Sequence, residues 1–133
     1  MEAKKIIITG AATRIGAAIA KSLANFNIKI LLHYNKSSVE VKKLKISLEE
    51  LGAQVFLIKA DLNKANETKK IIPYAYKMMK GIDCLINNAS IFENDNIENF
   101  DEKGFDKHLN INLKSPALLS KDFFKYIKKD KGN

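Results

Sequence analysis

The chain has 133 residues, 46% of them hydrophobic and 29% charged, proportions that exclude a disordered, fibrous or low-complexity protein. Its one early apolar run, Ile6-Ile7-Ile8, is too short for a signal-peptide core or a membrane span, so a cytoplasmic protein with no membrane partner is expected. The formal net charge of +8 raises nucleic acid as a partner, but only one of the 23 basic residues is an arginine, Arg14, and the lysines are spread over the polar faces of the expected helices, which points to a solvated surface and no nucleic acid.

The elements alternate in type along the chain. Residues 4–9 read as a strand, 14–27 as a helix, 28–33 as a strand and 38–51 as a helix, in which Val41, Leu44, Leu48 and Leu51 form an apolar face. Ser38 is expected to cap that helix and Gly52 to end it in the left-handed conformation. Residues 54–60 read as a third strand, 67–80 as a third helix and 83–87 as a fourth strand. The single cysteine, Cys84, lies in that apolar strand without a second thiol, so a buried structural thiol and no metal site are expected. A polar loop then leads into a long helix from about 102 to 129, closed by the basic group Lys121, Lys125, Lys128, Lys129 and Lys131, where cations suit the helix dipole.

Strict alternation implies parallel strands joined by right-handed crossovers, with helices on both sheet faces. Continuous runs such as Ile30-Leu31-Leu32 fit strands buried on both sides. The expected fold class is α/β, a Rossmann-like doubly wound parallel sheet of about four strands, incomplete at this length. No linker or repeat divides the chain, so residues 1–133 are read as one partial dinucleotide-binding domain.

The segment Thr9-Gly10-Ala11-Ala12-Thr13-Arg14-Ile15-Gly16 joins the first strand to the first helix, where a helix N-terminus offers free N–H groups to an anion and glycine lets backbone pass close to a pyrophosphate. It also serves as a tight strand-to-helix turn, and its spacing is not G-x-G-x-x-G. After the second strand, Leu32-His33-Tyr34-Asn35-Lys36-Ser37-Ser38 has no carboxylate to meet a ribose 2′-hydroxyl. Lys36, two hydroxyls and an amide, with Arg14 reaching over, would instead suit a 2′-phosphate; the same residues would also make an ordinary capped helix start. Asp61 and Leu62 follow the third strand and Asn87-Asn88-Ala89-Ser90 the fourth, all on the carboxyl edge of the sheet, where ligands bind in open α/β folds.

These motifs, T-G-x-x-x-x-x-G at the first turn, Asp61, and Asn87-Asn88-Ala89, resemble the short-chain dehydrogenase/reductase family over residues 4–129. That family usually has glycine where Arg14 stands. An arginine there, with His33-Tyr34-Asn35-Lys36-Ser37 and Asn-Asn-Ala-Ser, is most similar to the pteridine reductase branch, which uses NADPH to reduce pterins and dihydrofolates. The resemblance implies NADP(H) as cofactor and a carbonyl or pterin as small-molecule substrate. It places Arg14, His33, Asn35, Lys36 and Ser37 around the adenosine phosphate, Gly10, Ile15 and Gly16 along the pyrophosphate, and Asp61, Leu62, Asn88, Ala89 and Ser90 toward the nicotinamide side. It also makes Asn112 the asparagine of the family's proton relay. Pro116 lacks an N–H, so the carbonyl of residue 112 loses its helical partner, and a kink that frees this carbonyl for a water is expected.

In the family a serine and a Tyr-x-x-x-Lys pair follow later: the tyrosine transfers a proton and the lysine lowers its pKa. Lys131-Gly132-Asn133 fall in the loop expected before a fifth strand, so the chain reads as a truncated or split reductase, inactive alone and inclined to self-associate or to pair with a complementing C-terminal segment. The alternative is a non-catalytic nucleotide-binding remnant. Tyr76-Lys77-Met78-Met79-Lys80 matches Tyr-x-x-x-Lys, but on the third helix it is expected to lie remote from the nicotinamide.

Overall fold

Three consecutive isoleucines on a pleated strand must point alternately to opposite faces, so a strand carrying them is stable only with both faces covered. The computed structural model, which describes residues 2–130, meets that demand. Lys131 of the basic group and the rest of 131–133 lie outside the described residues. Strands β1 (Lys4–Ile8), β2 (Ile28–Tyr34), β3 (Gln54–Lys59) and β4 (Cys84–Ile86) form one parallel sheet in the order β3-β2-β1-β4. Ile6, Ile8, Ile30 and Leu32 point to one face, against Ala20 of helix α1 (Arg14–Leu23) and Val41, Leu44 and Leu48 of α2 (Ser38–Glu50). Ile7 and Leu31 point to the other, against Ile71, Ile72, Ala75 and Met79 of α4 (Ile71–Met79) and Leu119 of α6 (Ser115–Asp130). The doubly wound parallel α/β sheet expected from the sequence is therefore the fold observed.

Several local expectations are corrected. The helix expected over 67–80 is two pieces, α3 (Ala65–Thr68) and α4, because Pro73 has no N–H for the carbonyl of Lys69 and is accommodated only in a first helical turn. Helix α1 ends at Leu23 rather than at 27, where Asn25 accepts the N–H of Asn27 on its side chain at 2.8 Å and turns the chain into β2. The cap of α2 is Ser37, not Ser38, and it makes no side-chain capping bond; the N–H of Ser38 donates instead to the carbonyl of Lys36 at 2.9 Å. Gly52 is left-handed as expected, with φ +97°.

The long helix runs as α5 (Glu102–Leu109), a wide π turn (Asn110–Lys114) and α6. The irregularity expected at Pro116 thus takes the form of a widened turn just before it, with the N–H of Ser115 reaching the carbonyl of Asn110. The Ser115 side chain, buried there, donates to the carbonyl of Leu62 and lies 3.2 Å from Thr68 Oγ1. Cys84 is exposed, not buried, because β4 is the edge of the sheet among the described residues and no element covers that strand's outer side. Partial burial and the charge of Asp83 nonetheless push its thiol pKa up. Lys121, Lys125, Lys128 and Lys129 are exposed. No helix among the described residues is long and apolar enough to cross a membrane.

Candidate functional site

The carboxyl ends of β1 and β4 meet at the loop of residues 9–16, where backbone approaches backbone. Gly10 has φ +60°, and a Cβ there would stand 2.8 Å from Ala89 Cα. At Gly16 a Cβ would come within 2.3 Å of the Gly10 carbonyl and 2.7 Å of the Asn88 amide. Gly16 is buried beneath the loop and supports it from below.

Hydrogen bonds then lock the four strand ends together. Thr9 Oγ1, fully buried, accepts the N–H groups of Asn88 and Ala89 at 3.0 Å each. The Asn88 side-chain amide donates to the carbonyls of Thr9 and Gly10, both at 3.1 Å. Buried His33, at the end of β2, accepts the Gly10 N–H on Nδ1 at 3.0 Å and holds the Ala60 carbonyl on Nε2 at 2.8 Å. A ring that accepts on Nδ1 and donates on Nε2 is neutral. Burial lowers the His33 pKa, only partly opposed by the Ala60 bond. Both ring nitrogens are thus committed to main chain, so His33 shapes the site and its polar atoms are not free to meet a phosphate.

Among the described residues two non-glycines have positive φ: Lys80, at +58°, ends α4 as a left-handed cap, and Arg14, at +51°, stands at this cleft. The left-handed region costs an L-residue about 1–2 kcal/mol. Thr13 before it is the N-cap of α1 and makes no side-chain capping bond, which leaves the first N–H groups of the helix for an anion. The Gly10 N–H is already spent on His33.

A cavity of about 630 Å³ opens along this edge, a size typical of small-molecule sites. The predicted residues Gly10, Arg14, Ile15, His33 and Asn35 line it from the first two strand ends, and Asp61, Leu62, Asn88, Ala89 and Ser90 from the other two. Asp61 uses one carboxylate oxygen on the N–H of Asn63 at 2.9 Å. An adjoining space of about 430 Å³ is lined by Asn35, Lys36 and Ser37. Two predicted residues line neither space. Gly16 lies below the loop. Asn112 instead clamps the segment after β4, its Oδ1 accepting the Ile91 N–H at 2.8 Å and its Nδ2 donating to the Ile91 carbonyl at 2.9 Å.

Sequence reasoning missed the positioning role of Thr9 and the wall residues Ile91, Ile111, Glu93 and Lys107. The signal for Thr9 was its place in the loop motif. Nothing local marks Glu93 or Lys107, which the chain brings in from far along the sequence. Lys80, of the Tyr76-x-x-x-Lys80 match, lies with Lys4, Lys5 and Asp83 around a space at the opposite, amino-terminal edge of the sheet.

The family model for short chain dehydrogenase matches residues 4–133. An oxidoreductase of Thermotoga maritima is 33% identical over 132 residues, which is 98% of this chain and 51% of that protein. A short-chain dehydrogenase/reductase of Pestalotiopsis microspora is 25% identical over 96% of this chain and 48% of its own length. Among solved structures, a short chain dehydrogenase of Burkholderia cenocepacia in complex with NADP superposes with a TM-score of 0.89 at 27% identity, over 94% of this chain and 51% of that one. A blue fluorescent protein from a metagenomic library, in complex with NADPH, gives 0.87 at 25% identity, over 93% and 51%. The chain spans about half the length of the curated relatives it matches.

Proposed function

This chain belongs to the short-chain dehydrogenase family, and on that premise we propose that residues 1–133 are the NADP(H)-binding portion of a reductase that moves hydride between NADPH and a carbonyl or pterin substrate. The observation that carries this reading is Arg14. Its guanidinium is retained at a left-handed position where glycine would be unstrained, it lines the cavity, and the turn after β2 facing the same cleft offers Lys36 and Ser37 and no carboxylate. A backbone strain that persists at a cleft is a mark of function, and a cation in place of an acidic residue there favours a 2′-phosphate over a free hydroxyl.

In this reading Arg14, Asn35, Lys36 and Ser37 hold the adenosine phosphate, and the open N-terminus of α1 at Ile15 holds the pyrophosphate. Asp61 and Leu62 border the adenine, while Asn88, Ala89 and Ser90 continue toward the nicotinamide. The cofactor, when bound, supplies the hydride. His33 and Thr9 hold the loop in shape by bonding Gly10, Asn88 and Ala89. Asn112 holds the Ile91 segment through its side chain, and its carbonyl, which Pro116 cannot pair, orders a water in the proton relay. The proton-donating tyrosine and its lysine come from outside these residues. The pteridine reductase branch is proposed on Arg14, on residues 33–37 and on Asn-Asn-Ala-Ser at 87–90.

The test is thermal unfolding of the purified chain with NADPH and with NADH, then NADPH oxidation with a dihydropterin or simple carbonyls when a segment carrying Tyr-x-x-x-Lys is co-expressed. Selective stabilisation by NADPH and turnover with the added segment are expected. Stabilisation without turnover from any such segment identifies a non-catalytic remnant, and no response to either nucleotide defeats the reading.

A further inference from the structure

The smaller space beside the cavity has two charged walls. One carries Lys36 and Ser37 of the turn after β2; the other, 56 residues or more further along the chain, carries Glu93 and Lys107. Lys107 Nζ lies 2.6 Å from Glu93 Oε1, with both side chains partly open to solvent. The Glu93 backbone is fixed in place: its N–H donates to His108 Nε2 at 3.0 Å, and the other ring nitrogen of His108 holds the Gly104 carbonyl at 2.8 Å. Two residues earlier, Ile91 is held by the Asn112 side chain on both its N–H and its carbonyl. Lys107 keeps the Glu93 carboxyl below its ordinary pKa, with a smaller contribution from Lys36 on the facing wall. The Glu93 carboxylate is therefore bonded to one lysine and shares the space with a second on the opposite wall, beside a cavity lined by Arg14.

This arrangement is more specific than a surface ion pair. An exposed pair alone contributes little and needs no anchored backbone. Here an anion is held beside Lys36 and Lys107, in a space whose other carboxylate, Asp61, already accepts the N–H of Asn63. Resting on the NADP(H) reading above, we propose that Lys107 is a specificity-determining residue for the phosphate on the adenosine side, and that Glu93 is an internal counter-anion which occupies Lys107 until that phosphate displaces it. The carboxylate lowers the cost of keeping neighbouring cations together in the empty cleft, and it competes with the incoming phosphate for the same charges. The two residues thus act with opposite sign on affinity, and only for a nucleotide that bears the extra phosphate.

The experiment is titration of wild-type chain, Lys107→Gln and Glu93→Gln with NADPH and with NADH at low and moderate salt. Lys107→Gln is expected to weaken NADPH binding roughly three- to tenfold, the range for losing one charge contact at a partly exposed site, with NADH changed less than about twofold. Glu93→Gln is expected to tighten NADPH binding roughly two- to fivefold, an improvement that misfolding does not produce, and both effects should shrink as salt screens the charges. Equal changes for NADPH and NADH would mark a structural role and overturn the proposal. If wild-type chain prefers NADPH and neither variant alters the preference, this inference fails while the NADP(H) reading stands. If wild-type chain binds neither nucleotide, the reading itself has failed.

Discussion

Replacing Arg14 with glycine should change stability and affinity in opposite directions. Its φ of +51° costs an L-residue about 1–2 kcal/mol, which glycine does not pay. Glycine returns roughly 0.5–1 kcal/mol of that through the greater backbone freedom of the unfolded chain. The net is a more stable protein by about 0.5–1 kcal/mol, a rise in melting temperature of roughly 2–5 °C for a chain of this size. The same change removes the cavity's one guanidinium. A charge-assisted contact to a phosphate is worth about 1.5–3 kcal/mol, so affinity for NADPH should fall roughly 10- to 150-fold while that for NADH stays within about threefold. Thermal unfolding without nucleotide gives the first number and titration calorimetry with each nucleotide the second. If Arg14→Gly destabilises the chain, or weakens both nucleotides alike, the view of Arg14 as a strained residue kept for a phosphate is wrong.

Gly10→Ala combines a left-handed alanine with a Cβ 2.8 Å from Ala89 Cα and should cost about 2–4 kcal/mol by urea denaturation. Thr9→Val keeps the shape but leaves the N–H groups of Asn88 and Ala89 without their acceptor; a loss of about 2–4 kcal/mol is expected, against under 1 kcal/mol if those bonds are incidental. His33 is buried and neutral, with a pKa held below the ordinary 6.5, so the unfolded chain takes up a proton first as pH falls. Its contribution to stability is complete above that value and is lost below it, down through the folded-state pKa, at up to about 1.4 kcal/mol per pH unit. Urea midpoints measured across this window should show the slope in wild type and not in His33→Gln.

Much of the fold can be read from particular residues. Ile6-Ile7-Ile8 and Ile30-Leu31-Leu32 demand a sheet covered on both faces, and α1, α2, α4 and α6 cover it. The glycine loop and the segments after β2, β3 and β4 come together because parallel strands bring their carboxyl ends to one edge. What escaped the sequence depends on contacts distant in the chain. Cys84 has the flanks of a buried residue, and only the strand order exposes it. His33 has the chemistry of a phosphate ligand, but the Gly10 N–H and the Ala60 carbonyl claim both its nitrogens. Pro116 announced a lost helical bond, whereas Pro73 was passed over when 67–80 was read as one helix. The form of each irregularity, a break in one case and a π turn in the other, was set by neighbours: Ser115, for instance, is tied to Leu62 and Thr68. Glu93 and Lys107 were invisible for the same reason, since they meet Lys36 only through the fold.

The central claim is that the cleft between Arg14 and the turn at 33–37 recognises one phosphate on the adenosine ribose. The most direct measurement compares the dissociation constants of adenosine 2′,5′-bisphosphate and 5′-AMP for the purified chain, since the two differ only in that group. The bisphosphate should bind at least about tenfold more tightly, with the advantage shrinking as salt rises. Equal affinities, or no binding of either, would contradict it.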